Sequence, residues 1–285
     1  MDNSLFNSDF AKNSKFENDF VGNILSIKEW HQLVEQFKKY ISKKCDYKLK
    51  QSLIPKKIHQ IWLGEQGVPK KSIKWMNSWK EFNPDWEYKL WDEENIKELK
   101  VSDYDVYSKK INPGYRSDIL RYIILNKFGG LYADTDFECL KSIPTNILQF
   151  SFIAGIMFGN KPCIGNSILI SSPNSFILKK ILNNIKIKDY KNDINYIIKH
   201  SGPHAVTKEY FSAPEEIKNS SLILPSNYFY PFPNFMLNNQ TDRYNEVEEV
   251  SIGIHHWEMT WMKGNLIKRI QNKLKNFLKH NFQLF

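Results

Sequence analysis

Asp134 and Asp136 stand two residues apart in "GGLYADTDFECL", at the end of a short apolar run that follows a glycine pair. Residues at i and i+2 of a regular strand point to the same side, so the two carboxylates repel unless a cation or several donors compensate. A divalent ion does this with the fewest groups. Magnesium and manganese take oxygen ligands, commonly one or two carboxylates together with phosphate oxygens of a substrate. Such an ion joins the protein to a pyrophosphate and stabilises the charge that develops on it as a leaving group. Upstream, Asp118 and Arg121 are three residues apart among Ile119, Leu120, Ile123, Ile124 and Leu125, and therefore share a helix face. A carboxylate acceptor beside a forked guanidinium donor can form a structural ion pair, or can grip sugar hydroxyls near the ion.

Other chemistries with the D-x-D spacing fit less well. An EF-hand loop needs a third acid or amide and then a glycine, whereas this chain continues Phe137-Glu138-Cys139. A phosphatase of the haloacid dehalogenase type places threonine or valine where Glu138 stands.

These residues need a scaffold that brings strand ends together. "KKIHQIWLG" reads as a buried strand ending in a glycine turn, "SIKWMNSWKEF" as a helix and "WEYKLW" as a strand with alternating faces. "NPGYRSDILRYIILNKFGG" reads as a helix capped by Ser117 and closed by Gly129 and Gly130. "FIAGIMFG" and "SLILP" follow as strands, "SFILKKILNNI" as a helix, and "SIGIHHWEMTW" as a strand running into an aromatic loop. Strands alternating with helices of this length imply an α/β fold with a mostly parallel sheet flanked by helices. In such sheets ligands bind beyond the carboxyl ends of strands, where the two aspartates fall.

The 285 residues, 41% hydrophobic and 14% aromatic, suffice for a large core. The three cysteines, Cys45, Cys139 and Cys163, form no C-x-x-C pair, which argues against a disulfide framework or a thiolate zinc site and fits a reducing compartment. The N-terminal stretch lacks the basic start and apolar core of a signal peptide, and no apolar run approaches the length that spans a bilayer. Ile24, Ile27, Trp30, Leu33, Val34, Phe37 and Ile41 recur at helical spacing within a helical N-terminal extension, residues 1–50. The net charge is +9, and six basic residues with no acidic ones lie between Met259 and Phe285. There Leu266, Ile267, Ile270, Leu274, Phe277 and Leu278 recur at helical spacing, so residues 263–285 read as a basic amphipathic helix that either packs on the core or lies on an anionic membrane surface. No helix-turn-helix, RRM, KH or zinc-finger pattern accompanies the charge, so no nucleic-acid partner is expected.

"SDILRYIILNKFGGLYADTD" resembles the donor-site motif of glycosyltransferase family 32, which contains yeast-type initiation α-1,6-mannosyltransferases and many bacterial capsule and O-antigen sugar transferases; the glucosylating clostridial toxins share a similar stretch. "IPKKIHQIWLG", "SWKEFNPDWEYKLWDEENI", "SGPHAVT", "FYP" and "HHWEMTW" resemble the family's blocks in the same order, from Leu53 to Trp261. The resemblance implies a GT-A type, Rossmann-like catalytic domain over residues 51–262, using a nucleotide-sugar donor and manganese or magnesium. It implies that Trp62 lies beside the nucleotide base, where an indole can stack, and that Tyr132 lies near the nucleotide. Asp118 and Arg121 would contact the donor sugar, Asp134 would hold the ribose and sugar side of the donor, and Asp136 would ligate the metal. His255 and His256 match the family's late histidine, a third metal ligand or diphosphate contact. Adjacent strand residues face opposite ways, so one of the two reaches the ion, with His255 slightly favoured. Trp257 and Trp261 would close the donor site as a lid or line its acceptor side.

The resemblance further implies transfer with retention of anomeric configuration, by front-face departure or double displacement. A lysine- and asparagine-rich chain of this kind fits cytoplasmic assembly of a bacterial surface polysaccharide on a glycan or lipid-linked oligosaccharide acceptor at the inner membrane face, with a UDP-hexose donor ahead of GDP-mannose. Two other classes stay open: a phosphatase or phosphotransferase using the same aspartates, and an inactive glycan-binding protein.

Overall fold

The central strands are buried at consecutive positions rather than alternate ones, which requires cover on both faces of the sheet. The computed structural model describes residues 10, 25–43, 52–64, 66–101, 104–158, 162–234 and 242–258. In chain order the elements are α1 (Ile27–Ser42), β1 (Lys57–Ile61), α2 (Lys70–Phe82), β2 (Glu87–Trp91), α3 (Pro113–Phe128), β3 (Gly130–Ala133), β4 (Phe137–Cys139), β5 (Phe152–Phe158), β6 (Pro162–Ile164) and β7 (Ile168–Ser171). There follow α4 (Phe176–Asn184), α5 (Ile194–His200), α6 (Pro203–Phe211), α7 (Glu215–Asn219), β8 (Ser221–Leu224), α8 (Ser226–Phe229) and β9 (Gly253–His255), with short 3-10 turns between some of them.

The main sheet runs β2-β1-β3-β7-β5-β6, with β8 added alongside β5. β2, β1 and β3 are mutually parallel, β7 turns antiparallel to β3 and β5, β6 is antiparallel to β5, and β8 is parallel to β5. Strands β1, β2, β3, β5 and β8 therefore share one direction, giving the mostly parallel α/β layout expected. A separate two-stranded pair, β4 with β9, sets Phe137 opposite His255.

α3 is buried around its whole circumference from Gly114 to Leu125 except at Ser117, so it is a core helix rather than an amphipathic cover. Asn112 caps it by accepting from the Gly114 amide at 2.8 Å, and Pro113 opens its first turn. Ser117, expected to be the cap, lies inside the helix, because the proline pre-sets helical geometry earlier. One residue, Gly129, separates α3 from β3. Gly129 (φ 64°) and Gly130 (φ 101°) adopt left-handed conformations, and a Cβ on Gly130 would stand 2.4 Å from the Lys57 carbonyl oxygen.

α1 begins with a capping box between Ser26 and Glu29 and covers the outer edge of β8. Gln36 supplies the pairing: its amide donates to the Ser221 carbonyl at 3.0 Å and accepts from the Ile223 amide at 3.0 Å. The buried face carries Trp30, Leu33, Val34, Phe37 and Tyr40, while Ile27 and Ile41 are 41% and 44% exposed. Tyr40 takes the inward place expected of Ile41 because its hydroxyl accepts from the Asn146 amide at 2.6 Å and its ring meets Phe150. Ile24, Trp261 and the basic stretch 263–285 lie outside the described residues. Among the described residues no helix is long and apolar enough to cross a membrane.

Candidate active site

The parallel strands β1, β2 and β3 end on one rim, and the chain turns away from it at Trp62, Asp92 and Asp134. The backbone of Asp134 is fixed from both neighbouring strands. Its amide donates to the Ser167 carbonyl at 2.8 Å, and its carbonyl accepts from the Gln60 side chain at 3.0 Å, which is itself held by the Tyr88 hydroxyl. Asp134 and Asp136 are brought together by a tight turn closed by the Phe137 amide on the Asp134 carbonyl at 3.0 Å, not by the strand alternation expected from their spacing.

Oδ1 of Asp134 accepts from the Tyr132 hydroxyl at 2.6 Å and lies 3.2 Å from the Arg121 guanidinium, which sits over the Tyr132 ring. Burial raises the Tyr132 phenol well above its ordinary range, so it stays protonated and donates. Arg121 also pairs with Asp118 at 3.1 Å and donates to the Asn166 carbonyl at 2.6 Å. The two oxygens of Asp118 accept from the Asn166 amide and the Ser201 hydroxyl, each at 2.8 Å. Burial pushes the Asp118 carboxyl up to about 7, against the pull of Arg121 and Ser201. Asp118 and Arg121 therefore form a buried network whose visible effect is to hold Asp134.

Asp136 meets the far end of the chain. Its Oδ1 lies 3.2 Å from Nε2 of His255, its Oδ2 accepts from the Glu258 amide at 2.8 Å, and its carbonyl accepts from the His256 amide at 2.9 Å. Burial opposes its charge, but His255 and the Glu258 amide outweigh burial and bring the carboxyl down to about 2. His255 Nε2 is also 4.0 Å from Oδ2 of Asp134.

One ligand atom from each of Asp134, Asp136 and His255 lies within 4.8 Å of the others. On the His255 side, Asp134 presents Oδ2 and Asp136 presents Oδ1, the oxygens not engaged by Tyr132, Arg121 or the Glu258 amide. Two carboxylates with one imidazole make a donor set that can hold a divalent ion. The ring is wedged between Phe137 and Trp257, and its buried Nδ1 has no hydrogen-bond partner among the described residues.

His256, expected as an alternative ligand, turns the other way. It bonds Glu138 at 2.9 Å and stacks on Trp75 at 4.0 Å, as strand alternation requires. Trp257 is buried at 6% exposure with φ 55°, and its indole donates to the Phe232 carbonyl at 2.9 Å, so it is a wall behind His255 and not an open lid. Trp62 is half-buried at the rim, its amide bonded to the Trp91 carbonyl at 2.8 Å and its indole to the Gln66 carbonyl at 2.7 Å. Asn166, Ser201 and Gln60 were not among the expected residues. Polar types inside apolar runs, as in "IGNSILI", were the only signal for Asn166.

Residues 69–153 match the model of a family described as a glycosyltransferase sugar-binding region containing a DXD motif. Inositol phosphoceramide mannosyltransferase 3 of Schizosaccharomyces pombe is 36% identical over 104 residues, covering 34% of this chain and 28% of the relative. The uncharacterized glycosyltransferase L373 of Acanthamoeba polyphaga mimivirus is 25% identical over 190 residues, 63% of this chain and 74% of the relative. Among solved structures, the PaToxG glycosyltransferase superposes with a TM-score of 0.48 at 20% identity, over 68% of this chain and 83% of its own. The chain thus spans between 28% and 74% of the length of these two curated relatives. Over the matched stretch the chain is similar to glycosyltransferases. The stretch that carries the DXD region is similar to that family's sugar-binding region.

Proposed function

We propose that this chain is a metal-dependent hexosyltransferase that moves a sugar from a nucleotide-sugar donor to a glycan or lipid-linked acceptor. The observation that carries the reading is the group of Asp134, Asp136 and His255 at the carboxyl end of the parallel strands. A divalent ion held there supplies charge neutralisation for a diphosphate leaving group. The chain's own contributions are distinct from that. Asp118 and Arg121 orient Asp134 and face the donor sugar, Tyr132 keeps the Asp134 carboxylate aligned, and Trp62 offers an indole face to the nucleotide base. Asp136 and His255 would hold the ion.

Retention of configuration follows from the family resemblance. The relatives named as mannosyltransferases act, by their names, on inositol phosphoceramides, which supports mannose as the first sugar to test and a lipid-borne acceptor. UDP-hexoses remain in the donor panel, and assembly of a surface polysaccharide on the cytoplasmic face of a membrane is the proposed setting. The engagement of Asp134 Oδ1 by Arg121 and Tyr132 favours a donor-positioning carboxylate over a phosphatase nucleophile.

The test is a donor screen: purified protein with manganese chloride and a panel of UDP- and GDP-sugars, following release of nucleotide diphosphate, beside Asp136→Ala. Metal-dependent release from one donor, absent in the variant, is the expected result. No release from any donor, with no nucleotide binding by calorimetry, would remove the catalytic reading.

A further inference from the structure

At the same rim as the aspartates, Arg116 is buried within α3 at 1% exposure, with its guanidinium bonded to Glu93 and Val106. It makes a two-pronged bond to Glu93, with NH1 to Oε1 at 2.9 Å and NH2 to Oε2 at 2.7 Å, and its Nε donates to the Val106 carbonyl at 2.6 Å. A forked pair of this kind fixes direction as well as distance. The guanidinium holds the Glu93 carboxyl below its ordinary range. Glu93 lies just beyond β2, and its Oε1 accepts a further bond from the Gly64 amide at 3.1 Å. Gly64 adopts φ 112°, a conformation that only glycine takes without strain, with nothing within 4 Å of a Cβ there. It sits two residues after Trp62, in the segment whose carbonyl at Gln66 anchors the indole.

We infer that Glu93 and Arg116 are a positioning pair that holds the loop after β1, and through it the Trp62 indole, in place for the nucleotide base. The inference rests on the reading of Trp62 as the base-side wall. One helix then governs both ends of the donor: Asp118 and Arg121 act on the sugar side, and Arg116, on the other flank, acts on the base side through Glu93. Nothing in this relay touches the reacting bond, so its loss weakens donor binding without slowing turnover of bound donor. The glycine matters for the same reason. Only at a left-handed residue does the chain turn its amide back to the carboxylate of the neighbouring strand's loop.

The experiment uses the full chain with Glu93→Gln, which keeps the side-chain shape and loses the charge, and with Gly64→Ala, which strains the loop without a clash. Three readouts are taken: backbone hydrogen exchange of residues 62–64 and 66–68 in the free protein, calorimetric binding of UDP and of GDP with manganese chloride, and kcat at saturating donor. Loss of a charge-assisted bond predicts about a tenfold rise in loop exchange and about a tenfold weaker nucleotide Kd in both variants, with kcat at saturating donor within about twofold of the parent. Unchanged loop exchange would overturn the inference, as would faster exchange with an unchanged Kd, since the pair would then be only scaffold. If the parent protein binds neither nucleotide, the proposed function fails, and the exchange measurement still decides whether this pair holds the loop.

Discussion

The Tyr132 hydroxyl donates to Oδ1 of Asp134 at 2.6 Å, from a ring that lies 4.6 Å beneath the Arg121 guanidinium. Tyr132→Phe keeps the ring and the cation above it and removes only this bond. The net worth of a hydrogen bond to a charged group is about 1.5–3 kcal/mol, so kcat/KM should fall roughly 10- to 100-fold, and the melting temperature should drop by several degrees as the same bond is lost from the fold. Steady-state donor turnover set beside thermal unfolding makes the comparison; full activity in the variant would remove Tyr132 from the donor site.

Metal should stabilise the folded chain. An ion at about 100 times its Kd adds about 2.7 kcal/mol, so manganese chloride should raise the melting temperature and EDTA should reverse the rise. Asp136→Asn and His255→Ala should each abolish the shift, whereas His256→Gln should keep it, because His256 faces Glu138. Differential scanning calorimetry separates these cases, and an equal loss in all three variants would argue against the assignment of His255.

His59 gives the fold an acid-labile contact. Burial holds its imidazole down to about 4, with one ring nitrogen 3.0 Å from the Gly129 carbonyl and the other accepting from the Trp91 indole at 3.3 Å. The unfolded chain binds the proton near the ordinary value of 6.5, above the folded value, so protonation favours the unfolded state. Stability from this group is complete above about pH 6.5 and is lost as pH falls toward 4, amounting to about 3 kcal/mol over that window. Urea titrations at pH 7, 5.5 and 4.5 should show the decline, and His59→Gln should flatten it.

Gly130→Ala should be severe. Both the left-handed φ and the 2.4 Å approach of a Cβ to the Lys57 carbonyl oxygen oppose any side chain where β3 starts beside β1. We expect a loss of about 3 kcal/mol or more, measured by urea unfolding, and a mild change there would mean that β1 and β3 can separate without harm.

Strands β1, β2, β3, β5, β8 and β9 and the position of the DXD group were legible because a buried sheet writes itself as short apolar runs ended by glycine and acid, whereas β4, β6 and β7 were not expected. What could not be read was phase and partner. Ile41 and Tyr40 are adjacent and both apolar enough to face inward, and the distant Asn146 and Phe150 favour the tyrosine. Ser117 is a good cap by type, but Asn112 followed by Pro113 starts the helix a turn sooner. The choice between His255 and His256 was legible as a rule of alternation, while which of them met the acids depended on the pairing of β9 with β4. The resemblance put Trp257 at the lid or on the acceptor side, whereas its indole is buried and bonded to the Phe232 carbonyl from a residue of positive φ. Asn166 carries no motif and Ser201 only opens the "SGPHAVT" block, so their part is visible only once Asp118 is seen to need both.

The pairing of β4 with β9 also sets a schedule. Asp136 and His255 are 119 residues apart, so at a synthesis rate of 5–20 residues per second the histidine leaves the ribosome roughly 6 to 24 s after the aspartate. During that interval the nascent chain exposes two neighbouring carboxylates that lack their third partner. The strand that brings His255 must then find a three-residue edge already hydrogen-bonded to nothing else in its small sheet. Competence to hold an ion thereby depends on one contact between segments 119 residues apart, so the three ligands meet only where β9 has paired with β4.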